Sequence, residues 1–173
     1  VELLEKATLD LLLQGKEAEA KWRRSFGADG DRIKGVTVFA SSSSFTLDVT
    51  DWQDCLRIVQ VRNGSDKLHI VFHFYLPQSD FWNSIRFQAA DADVYVGSGR
   101  TYFRVAEADE SFREALQALK YGRFICKKGL TQFEDLGMNP EFPPNTLQLE
   151  ENILLLMQSG NMDGMKHQLQ RLL

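Results

Sequence analysis

Leu56-Arg57-Ile58-Val59-Gln60-Val61-Arg62-Asn63-Gly64-Ser65-Asp66-Lys67-Leu68-His69-Ile70-Val71-Phe72-His73-Phe74-Tyr75-Leu76 is the stretch whose reading decides the fold. Its apolar residues recur every second position, the period of a strand, and Asn63-Gly64 is a preferred pair for a type I′ turn. The segment therefore predicts an antiparallel hairpin. On its second strand Leu68, Ile70, Phe72 and Phe74 share one face, and Lys67, His69, Val71, His73 and Tyr75 share the other, which reads as half-exposed. Pro77 closes the strand.

The same period appears upstream. Val36, Val38 and Ala40 alternate with Thr37 and Phe39, and after the serines at 41–44, Phe45, Leu47 and Val49 alternate with Thr46 and Asp48. Two strands, or one long bulged strand, fit this pattern. Downstream, Val94 to Val96 and Thr101 to Val105 read as a further hairpin with Gly97-Ser98-Gly99 at its tip.

Outside these stretches the period is helical. Leu4, Ala7, Leu11, Ala18 and Trp22 form a stripe interrupted at Gln14-Gly15 and ended near Phe26-Gly27. Ser79 opens a short segment carrying Phe81, Trp82, Ile85 and Ala89, although Ser84 to Gln88 reads equally as a strand. Ser111 and Glu114 have the spacing of a capping box ahead of Phe112, Ala115, Leu116 and Leu119. Lys127 to Asn145 reads as mostly loop, and Leu149 to Leu172 as two closing helices. The expected fold is α+β: one domain over 1–173, an antiparallel sheet of about five or six strands, helices at both termini, and one after the last hairpin.

The chain has 173 residues, 43% hydrophobic and 25% charged, within the range of a globular domain able to bury one core. Its net charge of −4 argues against a chain-wide grip on nucleic acid or an anionic membrane. The 2 cysteines, Cys55 and Cys126, form no Cys-x-x-Cys pair, so a zinc ribbon is not expected; they read as buried reduced thiols of a cytoplasmic protein. No apolar run reaches the length of a membrane span. The chain begins with Val1, so a trimmed export signal would leave no trace in it.

Several residues are candidates for chemistry. His69 and His73 point the same way on a strand, but residues four apart there have Cα atoms roughly 13 Å apart, too far to share one metal directly. No metal or cofactor is expected. Either histidine remains a candidate general base, with Asp48, Asp51 and Asp54 upstream as possible partners. Gly97-Ser98-Gly99-Arg100 has the composition of an anion cradle as well as of a hairpin tip. Lys120, Arg123, Lys127 and Lys128, interleaved with Tyr121 and Phe124, suit phosphate pairing and base stacking, more so if Lys21, Arg23 and Arg24 lie beside them in space. Met157, Met162 and Met165, with the stiff loop Phe142-Pro143-Pro144, offer an adaptable apolar surface to a protein partner.

Asp91-Ala92-Asp93-Val94-Tyr95-Val96-Gly97 followed by Thr101-Tyr102-Phe103 is similar to a strand pair of the ribosome-inactivating N-glycosidases. The likeness covers a minor part of the chain, and the Glu-x-x-Arg helix of that family has no counterpart in the closing segment, so it implies neither activity nor site residues here. The sequence favours a non-catalytic protein-binding module, of the adaptor, inhibitor, immunity or chaperone-like kind. Nucleic-acid or anion binding through Arg100, Lys120–Lys128 and Lys21–Arg24 is the alternative, and a small enzyme using His69 or His73 a further one.

Overall fold

The computed structural model describes residues 2–42 and 44–136. The chain divides into two units, 1–133 and 134–173, and the whole of the described sheet lies in the first. The closing helices, together with Phe142, Met157, Met162 and Met165, lie outside the described residues.

The fold is α+β, as the two periodicities predict. Helix α1 (Glu2–Gln14) runs through a 3₁₀ turn at Gly15–Ala18 into α2 (Glu19–Phe26), the break falling at the predicted glycine, whose φ is +62°. Strand β1 (Gly35–Ser42) precedes the hairpin β2 (Leu56–Asn63) and β3 (Asp66–His73); then come α3 (Ser79–Ala92), β4 (Tyr95–Ser98), α4 (Ala108–Phe124) and β5 (Gly129–Gln132). The sheet order is β2-β3-β1-β4-β5.

The hairpin forms as expected, with its turn one residue later. Asn63 pairs with Asp66, leaving Gly64-Ser65 as the loop, and Gly64 has a φ of +65°. Glycine at the first of two loop positions is the requirement of a type II′ turn, the other form matching strand twist.

Other expectations are refined or corrected. The sheet has five strands and is mostly antiparallel, as expected, but β5, drawn from a stretch read as loop, pairs parallel with β4 across the α4 crossover. Phe45 and Leu47 are buried but form no strand. Their alternation reflects packing onto the sheet face beside His69 rather than pairing. Residues 94–105 are no hairpin: β4 pairs with β1, and Tyr102 makes a lone bridge to Val36. Gly97 and Gly99 lie where β4 meets α4, since a Cβ on Gly97 would collide with the backbone of Ala115 and Leu119, and one on Gly99 with Ser111. Those glycines permit backbone-to-backbone contact instead of forming a tip.

Helix α4 starts at Ala108, so Ser111 and Glu114 sit inside it and form no capping box. Ser111 Oγ donates to the Arg100 carbonyl (2.8 Å) and accepts from the Val38 N–H (3.0 Å), which ties β1 and the chain after β4 to the helix.

Both faces of the sheet are covered, which overturns the half-exposed reading. Val36, Val38, Leu68, Ile70 and Phe72 pack against Leu11, Trp22, Phe26, Phe112 and Ala115 from α1, α2 and α4. On the opposite face Phe39, Val71 and Leu56 pack against Phe81, Ile85 and Ala89 of α3, with Phe45 and Leu47. The sheet is the middle of three layers.

Candidate functional site

His69 and His73 belong to the α3 face and are 0% and 1% exposed. His73 Nε2 lies 2.9 Å from Thr37 Oγ1, itself 2.6 Å from Thr101 Oγ1. His69 Nε2 accepts the Leu47 N–H at 3.4 Å, so its proton sits on Nδ1, which has no partner among the described residues. Burial pushes both imidazoles down to about 4, with the Lys67 charge adding to the effect on His69. Both are neutral near pH 7, and a base so weak takes a proton poorly at that pH. Asp48 turns to Thr50 and Gln88. No group of three or more His, Cys, Asp or Glu able to hold a metal occurs among the described residues.

Arg100 is engaged. Its Nη2 donates to Glu114 Oε2 at 2.6 Å and its backbone N–H to Glu114 Oε1 at 3.0 Å, while the Tyr102 hydroxyl donates to Oε2 at 2.6 Å. Burial works to raise the Glu114 pKa, yet these hydrogen bonds hold it below the ordinary carboxylate value. Burial and the bond to Glu114 push the Tyr102 phenol up to about 12. This cluster clamps the segment after β4 onto α4.

The other predicted cations are scattered. Arg123 pairs with Asp66 at 3.2 Å and Lys128 with Asp93 at 3.1 Å, whereas Lys120 and Lys127 are exposed on and just after α4. Lys21 and Arg24 are exposed on α2, and Arg23 pairs with Glu19 at 2.9 Å. The clusters do not meet. Phe26 of α2 packs on Phe72 near the end of β3, while Arg123 pairs with Asp66 at its start, six residues or roughly 20 Å away. Cys55 is half-buried, and Cys126, expected to be buried, is exposed with φ +56° just past α4.

What the sequence leaves unannounced is the sheet edge. Strand β2 is outermost and, among the described residues, pairs only with β3. The Phe74 N–H donates to the Cys55 carbonyl at 2.8 Å, so by antiparallel alternation Arg57, Val59 and Val61 also bond inward to β3. The backbone groups of Leu56, Ile58, Gln60 and Arg62 consequently face outward. Alongside lies a groove of about 550 Å³, bounded by Leu3, Leu4, Arg24, Arg57, Ile58 and Gln60. Arg57 props its wall: the guanidinium lies 4.6 Å from the Phe26 ring centre and donates to the Phe26 carbonyl at 3.3 Å, at the end of α2. Leu3 is 78% exposed at the rim.

No protein-family model matches the chain, and no curated protein is significantly similar to it. Among the described residues no helix is long and apolar enough to cross a membrane.

Proposed function

We propose that this chain is a non-catalytic protein-recognition module that takes an extended segment of its partner as an added strand on β2. The observation that carries this reading is the outward row of backbone groups at Leu56, Ile58, Gln60 and Arg62 beside a groove with Leu3, Leu4 and Ile58 among polar side chains in its lining. Backbone hydrogen bonds would supply affinity, and alternate side chains of the added strand would enter the groove past Leu3 and Leu4. The test uses peptides selected from a random library on the purified chain. Gln60→Pro removes an outward N–H while keeping the bonds to β3, as proline allows on an edge strand. Loss of binding in Gln60→Pro, with binding kept in Gln60→Ala, is the expected result. Equal binding by both variants refutes strand addition.

A second reading, anion or nucleic-acid binding, draws on a different place from the predicted patches. A cleft of about 420 Å³ is lined by Lys16, Arg104, the 69% exposed Phe103 and the ion-paired Glu19 and Arg23, and neither Lys16 nor Arg104 has a partner among the described residues. Two such cations beside an open ring suit phosphate pairing with base stacking. A gel shift of single-stranded RNA at low salt, lost in the Lys16→Glu/Arg104→Glu double variant, is the outcome this reading requires; an unshifted band removes it.

A further inference from the structure

A third concavity, of about 310 Å³, opens where the sheet ends, between the start of β2, the end of β3 and the first turn of α3. Trp52, Tyr75 and Phe81 are among its lining residues, with Phe81, only 2% exposed, at its floor. Trp52 and Phe81 stand at 86° to each other with centres 5.7 Å apart, forming two sides of a corner, and Tyr75, 64% exposed, stands at the rim. The walls also carry Asp80, Cys55 and the edge of His73. We infer that this cleft binds an organic ammonium ion, with methylated ammonium as the preferred form.

Three features of the lining select that chemistry. Aromatic faces carry negative electrostatic potential and attract a cation held against them, most strongly for tryptophan. Among the described residues Asp80 is the one carboxylate lining the cleft, no Lys or Arg lines it, and Asp80 has no hydrogen-bond or ion-pair partner of its own. His73 adds no positive charge near neutrality, because burial keeps it deprotonated. An anionic ligand would meet carboxylate and ring faces. A neutral apolar one would cover Asp80 without pairing it, at the cost of desolvating a charge. A bare metal ion would find Asp80, Cys55 and His73 along the walls, but among the described residues no three His, Cys, Asp or Glu side chains converge closely enough to hold one. A methylated ammonium satisfies rings and carboxylate together, and its methyl groups shed water more readily than N–H donors do.

The inference needs no peptide backbone and stands apart from strand addition on β2. Choline and a trimethyllysine peptide present the same headgroup from two sources, a free metabolite and a protein side chain. The experiment is an NMR titration of the full chain with choline, with that peptide, and with 3,3-dimethylbutan-1-ol, the uncharged isostere of choline. Saturable shifts of the Trp52, Tyr75 and Phe81 ring resonances are expected, with the isostere at least about tenfold weaker than choline. Asp80→Asn and Tyr75→Ala, both at exposed positions, are each expected to weaken choline by about tenfold while the remaining spectrum stays in place. Tighter binding of the peptide assigns the site to a protein side chain, and tighter binding of choline to a free amine; either supports the site. Equal binding of choline and isostere, shifts confined to other residues, or no saturation by either ammonium ligand overturns it.

Discussion

Lowering the pH from 7 to 5 should destabilise this protein through two buried side chains. His69 and His73 titrate at about 4 when folded, against 6.5 in an unfolded chain. The folded values are depressed, so the unfolded state binds protons first as the pH falls. The histidine contribution to stability is therefore complete above pH 6.5 and is lost progressively down to about 4. At 1.36 kcal/mol per pH unit per group, pH 5 removes about 2 kcal/mol for each histidine and about 4 kcal/mol in all. That is a large share of the roughly 5–15 kcal/mol by which domains are stable. Glu114, held below the ordinary carboxylate value, adds its loss at more acidic pH, so the two windows separate. Urea denaturation followed by tryptophan fluorescence, to which the buried Trp22 contributes with Trp52 and Trp82, reads the slope directly at pH 7, 6 and 5. His69→Leu and His73→Leu are each expected to halve it, whatever their effect on absolute stability. A urea midpoint unchanged between pH 7 and 5, or imidazole resonances titrating near 6.5 in the native protein, would refute the burial argument.

Other outcomes rest on the packing. Gly97→Ala forces a methyl group into the backbone of α4 at Ala115 and Leu119, where no side chain can yield, and is expected to cost about 3 kcal/mol or more in urea unfolding. Gly64→Ala meets open space and carries only the positive-φ strain of about 1–2 kcal/mol, so the ranking of the two tests where β4 lies. Glu114→Ala strips the carboxylate from Arg100 and Tyr102 and is expected to lower stability by about 2–3 kcal/mol, with the Tyr102 phenol falling back from about 12 in a spectrophotometric titration. Amide exchange along β2 should alternate, with Ile58 and Gln60 fast and Arg57, Val59 and Val61 slow; uniform protection would mean that the outer edge is already paired.

How much of this was legible depended on the range of the interaction. The hairpin and the broken N-terminal helix could be read because each writes its period over a dozen or more neighbouring residues. The second buried face could not, since His69 and His73 look polar in sequence and become core only when α3 and the Phe45–Leu47 segment close over them. Gly-Leu-Thr-Gln at β5 is too short to show a period, and its pairing with β4 is a tertiary event. Ser111 and Glu114 keep the spacing of a cap, but a helix that begins three residues earlier turns the same spacing toward Val38 and Arg100. The cationic run after Lys120 meets acids 57 and 35 residues away, at Asp66 and Asp93. Trp52, Tyr75 and Asp80 share a cleft only because the hairpin's outer end folds against the first turn of α3.

A sheet covered on both faces can offer a partner only its edges and ends. The two edges here differ. Strand β5 has four residues and lies against α3, whereas β2 has eight residues and an outward row of groups left unpaired among the described residues. Chains usually blunt such an edge with charge, a bulge or a covering element, because it otherwise templates aggregation. Arg62 supplies some charge near the turn, but the other arginine of β2, Arg57, is folded back onto Phe26 and leaves the middle of the strand to Ile58, Val59 and Gln60. A regular strand with so little protection at its centre from the described residues carries a standing risk of self-association. Retaining it is most simply understood if the edge is used, and this is the physical reason the proposed recognition is placed there instead of at the buried histidines.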